Sequence, residues 1–204
     1  MIMINGGSII LLGFIGSLIT RSIVIARKHR NQIHVSWFKE MITFLFIMYL
    51  CMVAAVTLFP LPIGYDFQYV NVVHFINFVP LVAIFDAINQ IGTAYDGDVL
   101  FMVSLILRNV GGNILLLMPL GFLAPVVWNK FRGFKEVILL GLAVSVTIEI
   151  LQLVENVAGA WGRITDIDDV ICNVLGVGFG YLIYSLILKA GEKYQIKGLK
   201  NFSS

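Results

Sequence analysis

Five apolar stretches, at roughly 7–26, 41–60, 109–128, 136–154 and 170–189, are each long enough to cross a bilayer as a helix. About 20 residues, rising 1.5 Å each, cover a hydrocarbon core roughly 30 Å thick. Few other folds are open to such a chain, because lipid leaves every backbone polar group to be satisfied within the segment. Charge agrees: only 13% of residues are charged and 59% are hydrophobic, where a soluble domain carries about 25% charged residues. No polar stretch is long enough for a second, soluble domain. The expected fold is all-α: a polytopic integral membrane helix bundle of about five transmembrane helices, plus an outer re-entrant or interfacial segment.

The first basic residue is Arg21, and Arg27, Lys28 and Arg30 follow the first apolar run. A secretory signal carries its positive charge ahead of that run, so the first span is expected to be retained. Basic residues also set orientation. Arg27, Lys28, Arg30 and Lys39 follow the first span, Lys130, Arg132 and Lys135 the third, and Lys189, Lys193, Lys197 and Lys200 the fifth. With five spans, all of these fall on one side, and only Arg108 and Arg163 lie opposite. The expectation is an N-terminus outside and a cytoplasmic C-terminus. Asp66, Asp86, Asp96, Asp98, Glu155, Asp166, Asp168 and Asp169 gather on the outer side. Acidic residues contribute little to topology, so insertion does not require that bias. Cys51 and Cys172 lie inside apolar runs without metal-type spacing, and are read as small packed hydrophobes.

The long outer connection, 61–108, contains "NVVHFINFVPLVAIFDAI" (71–88), apolar but broken by His74, Asn77 and Pro80. It is too interrupted for a span and suits an interfacial or re-entrant position. His74 has no nucleophile near it in sequence and is read as structural. The run 99–107 leads into the third span, and the two together exceed one bilayer thickness, which predicts a bend near Gly111-Gly112. Pro119 and Gly121 are expected to kink the same helix.

Polar residues inside these spans carry the functional signal. Ser145, Glu149 and Gln152 share one helical face, at i, i+4 and i+7. Glu149 lies roughly 7 Å inside the boundary at 1.5 Å per residue, where an ionised carboxylate costs on the order of 1–3 kcal/mol. It therefore needs a partner in the bundle interior. Asp169, Asn173, Gly176 and Gly180 form a second stripe, whose glycines allow another helix to approach closely. Asp166 is placed as an N-cap or first-turn acid of the fifth helix. Arg108, Asn109 and Asn113 open the third span. All these groups converge at the outer end. They form either polar glue between helices, with the aspartates pairing with Arg163 or Arg108, or an outward-facing pocket at headgroup level. Such a pocket would bind a lipid phosphate through the arginine, or through a divalent cation such as Mg²⁺ on the carboxylates.

The blocks "TLFPLP" (57–62), "NFVPL" (77–81), "RNVGGNILLLMPLGFLAP" (108–125), "SVTIEILQLV" (145–154) and "GRITDIDDVICNVLGVGFGY" (162–181) occur in the order found in the VanZ-like family. The resemblance covers about residues 41–189, leaving an N-terminal helix and basic loop (1–40) and a basic tail (190–204) outside it. The stretch 82–107 matches no block. The family's polar positions fall on Asn77, Asn113, Glu149, Gln152, Arg163, Asp166, Asp168, Asp169 and Asn173. The resemblance implies a protein of the bacterial cell membrane connected with resistance to teicoplanin, a lipid-tailed glycopeptide, and brings no accepted catalytic mechanism.

Three readings of function follow. The first is a binder of a lipid-linked or lipid-like molecule, such as a lipid-linked cell-wall precursor or the lipoglycopeptide, at the outer polar site. The second is a membrane enzyme acting on a lipid phosphate or glycan headgroup, with Glu149 as general base and a cation on Asp168 and Asp169. The third is a lipid transporter. Nothing in the chain points to nucleotide, redox or nucleic-acid chemistry.

Overall fold

A computed structural model describes residues 2–63, 76–157 and 164–195. The elements run β1 (Ile2–Ile4), α1 (Gly6–Arg30), α2 (Trp37–Leu58), β2 (Leu61–Ile63), β3 (Ile76–Asn77), α3 (Val82–Asn89), α4 (Val99–Ile106), α5 (Gly112–Val127), α6 (Phe134–Val157), β4 (Thr165–Asp166) and α7 (Ile167–Lys193). A π-helical turn, Leu107–Gly111, joins α4 to α5 without a break. Five helices are long and apolar enough to span a membrane: α1, α2, the continuous Val99–Val127, α6 and α7. The protein is a multi-pass helical membrane bundle, as the length of its apolar stretches predicts.

The third span begins ten residues earlier than expected, at Val99 rather than 109. Arg108 and Asn109 interrupt the apolar run, but the π turn passes through them instead of ending the helix. Such single-turn bulges insert an extra residue and concentrate at functional sites. The segment Val82–Asn89 is a short helix rather than a span. Its side chains Val82, Phe85 and Ile88 are exposed, in keeping with an interfacial position.

The core lies where α2, α5, α6 and α7 meet, around Phe46, Val53, Leu117, Leu120, Val137 and Val177. The most extensive interface is α5 on α7, and its cause is the absence of side chains. A Cβ on Gly176 would overlap the Ile114 carbonyl oxygen. One on Gly180 would overlap that of Met118, and one on Gly121 that of Val177. Lipid tails are as apolar as leucine, so helices in a membrane associate through such close packing. The predicted glycine stripe is thus the seam of the bundle, and Gly121 serves the same contact from the α5 side. α1 is the least buried of the spans and packs on α2.

The bundle has two unlike ends. At one, β1 pairs antiparallel with β2, tying the start of α1 to the end of α2. At the same end β3 pairs in parallel with β4, Ile76 opposite Thr165 and Asn77 opposite Asp166. At the other end Glu40, 5% exposed, receives Arg21 and Lys28 (the latter at 2.7 Å) across the α1–α2 interface.

Candidate functional site: a polar crown at the N-terminus of α7

α7 starts at Asp166 because that residue caps it. Its backbone is extended and its side chain accepts the Asp168 N–H at 2.9 Å, satisfying one of the amides that an opening helix turn leaves free. The same Oδ1 accepts the Asn77 side-chain amide at 3.0 Å. Asn77 Oδ1 in turn accepts the Val79 N–H at 3.2 Å. The Asp166 backbone N–H donates to Glu149 Oε2 at 3.0 Å. Asp168 Oδ1 accepts the N–H of Leu81 at 2.5 Å, with Leu81 held in the left-handed region at φ +67°. "NFVPL" and "TDIDD" are therefore locked to each other by one parallel bridge and two carboxylates.

Deeper along α7, Asp169 accepts the Asn113 amide of α5 at 2.5 Å. One turn further, Asn173 donates to Ser145 Oγ of α6 at 2.9 Å, with both residues fully buried. Gln152 of α6 donates to the Thr57 carbonyl at the end of α2, at 3.0 Å. The crown thus ties α2, α5, α6, α7 and the loop before α3 together at one end. Among the described residues, three buried side-chain oxygens have no hydrogen-bond partner: Thr165 Oγ1, Asp168 Oδ2 and Asn173 Oδ1.

Two cavities open beside these groups. The narrower, about 340 Å³, lies between α3, α4 and α7, with Asp86, Gln90, Met102, Asp168 and Cys172 in its wall. The wider, about 780 Å³, is lined by Thr57, Arg108, Asn113, Leu116 and Gln152. Ala83, Asn109, Asp166 and Asp169 line both. Both volumes lie in the range of small-molecule sites.

Of the residues singled out in the sequence, Asn77, Asn113, Glu149, Gln152, Asp166, Asp168, Asp169 and Asn173 gather in this crown. Arg163 and His74 lie outside the described residues. Arg108 lines the wider cavity but, among the described residues, forms no ion pair with an aspartate. It projects from an exposed position in the π turn, while Asn113 takes Asp169. Among the described residues, no group of three or more His, Cys, Asp or Glu side chains is disposed to hold a metal ion. The cysteines are free, with Cys172 buried.

Several contributors were not singled out. Leu81 acts through its backbone, which no side-chain pattern reveals. On α3 and its C-cap, Ala83, Asp86, Ala87 and Gln90 form one face at i, i+3, i+4 and i+7 and all line the narrower cavity. That spacing was readable, and marks the stretch as a cavity wall as well as an interfacial segment.

No curated protein and no solved structure matches the chain. The family model described as VanZ/LLP1 matches residues 46–188, from the middle of α2 to near the end of α7. That range takes in the glycine seam and every described residue of the crown. The chain belongs to the VanZ/LLP1 family.

Proposed function

We propose that the protein holds a lipid-linked or lipid-like molecule at the crown, facing the outer leaflet of a bacterial cell membrane, with its C-terminus in the cytoplasm. The orientation rests on the basic residues, since among the described ones all but Arg108 belong to the end of the bundle away from the crown. The observation that carries the binding reading is the pair of adjoining cavities around Asp166 and Asp169. Exposed apolar side chains of the α3 region, Phe78, Val82, Phe85 and Ile88, stand beside them. A polar recess next to apolar surface at headgroup depth suits a ligand with a polar head and an acyl tail. Sequestering such a molecule, a lipid-linked precursor or the drug itself, is the route by which this protein would lower susceptibility to teicoplanin.

The test is expression in a susceptible Gram-positive host, comparing teicoplanin with vancomycin at matched membrane abundance of wild type and Asp169→Asn. Protection against teicoplanin alone, lost in the variant, is the expected result. Equal protection against both drugs, or against neither, removes the resistance reading. The enzymatic alternative, with Mg²⁺ on Asp168 and Asp169, is separated by two further measurements. It requires activity that EDTA abolishes and an altered lipid profile in a deletion strain.

A further inference from the structure

The two cavities differ in charge. The narrower is walled by four carboxylates, Asp86, Asp166, Asp168 and Asp169, and, among the described residues, by no lysine or arginine. The wider has Arg108 in its wall. An acid-only recess repels a phosphate, and a neutral hydroxyl does little to offset a cluster of carboxylates. One group in it also lacks a partner. Asp168 is only 4% exposed and lines the recess, yet its Oδ2 accepts no hydrogen bond. A buried acceptor left unmet bears its desolvation cost, which a donor entering the recess would relieve. Asp166 Oδ1, Asp168 Oδ1 and Asp169 Oδ1 are already engaged by Asn77, Leu81 and Asn113. These bonds hold the carboxylates in place for an incoming cation.

We infer that the narrower cavity receives the protonated amine of a lipid headgroup, whose phosphate lies in the adjoining wider cavity against Arg108. An ammonium is compact and brings three donors without a fixed coordination geometry. It therefore meets Asp168 Oδ2 and the neighbouring aspartates without the cage of oxygen ligands that a divalent cation needs, and among the described residues no group of three or more His, Cys, Asp or Glu side chains is disposed to hold one. The shared wall of Ala83, Asn109, Asp166 and Asp169 puts the two halves of a zwitterionic head side by side. Arg108, exposed and without an ion-pair partner among the described residues, supplies the charge-assisted contact to phosphate. The inference rests on the lipid-binding reading above and gives it a headgroup class.

The test is native mass spectrometry of the full chain in detergent, titrated with chain-matched phosphatidylethanolamine, its N-acetyl derivative and phosphatidylglycerol, and with glycerophosphoethanolamine. The expected result is retention of phosphatidylethanolamine at least tenfold tighter than either lipid lacking the amine charge. Asp168→Asn, which keeps an oxygen for the Leu81 N–H, should abolish that preference. Asp86→Asn, at an exposed position on α3 where folding is not at stake, should reduce it several-fold. Equal retention of all three lipids overturns the amine assignment and leaves lipid binding standing. Retention of glycerophosphoethanolamine as tight as that of the whole lipid overturns the lipid assignment, since the acyl chains then contribute nothing. No retention of any of them overturns both.

Discussion

Replacing Gly180 by alanine places a methyl group against the backbone of the facing helix. The new Cβ would lie 2.9 Å from Phe122 N and 3.0 Å from Met118 C, and would overlap the Met118 carbonyl oxygen. Helix backbone cannot swing aside as a flexible side chain does, so α5 and α7 must separate. Overpacking of this kind costs about 1–3 kcal/mol, against which alanine returns up to about 1 kcal/mol of helix propensity. The net expectation is a loss of about 1–2 kcal/mol, roughly tenfold in the folding equilibrium. Gly178→Ala is the internal control, because its Cβ would meet only Ile138 Cδ1 at 3.8 Å. It keeps the propensity gain without the clash and should be neutral or stabilising. Gly176→Ala should resemble Gly180→Ala, and the double variant should lose less than the sum, because one separation relieves both contacts. The assay is the folded fraction of purified protein in an SDS titration, followed by tryptophan fluorescence. Equal shifts in the same direction for Gly178→Ala and Gly180→Ala would refute the close-packed seam.

Two further outcomes follow from the polar contacts. Glu149→Gln retains an oxygen for the Asp166 N–H and should fold near normally, whereas Glu149→Leu strands that donor at a cost of about 1–3 kcal/mol; amide exchange at residues 165–169 reports the difference. Glu40→Gln leaves Arg21 and Lys28 without their shared carboxylate at the opposite end of the bundle. Those two side chains are 22% and 34% exposed, so solvent limits the loss to about 1–2 kcal/mol. Thermal unfolding at low and high salt should show wild type and variant converging as salt rises.

Helical spacing made the interior of the bundle legible. Gly176 and Gly180 fall one turn apart below Asp169 and Asn173, and that pattern alone predicts a close helix approach with polar tips above it. The cap at Asp166 was readable for the same reason, since an acid before an apolar run answers the free amides of a helix start. What escaped were contacts without a period. The β3–β4 bridge is two residues long and made by backbone, and the Leu81 N–H belongs to a residue whose side chain says nothing about it. The start of the third span was misplaced because a polar pair, Arg108-Asn109, resembles a helix boundary, and a π turn carries the helix through. Glu40 was passed over amid the basic residues that set topology, although a lone acid among them needs a partner.

The long-range bonds of the crown join parts of the chain made at different times. Asn77 and Asp166 are 89 residues apart, Leu81 and Asp168 are 87 apart, and Thr57 and Gln152 are 95 apart. Asn113 waits 56 residues for Asp169. During synthesis, Asn77, Asn113 and Glu149 are all made before their α7-end partners Asp166 and Asp169 exist. A chain halted before Thr165 therefore lacks the α7 partners of these polar groups, and an unmet polar group in lipid is costly. Completion of α7 supplies the partners of Asn77, Asn113 and Glu149 in one step.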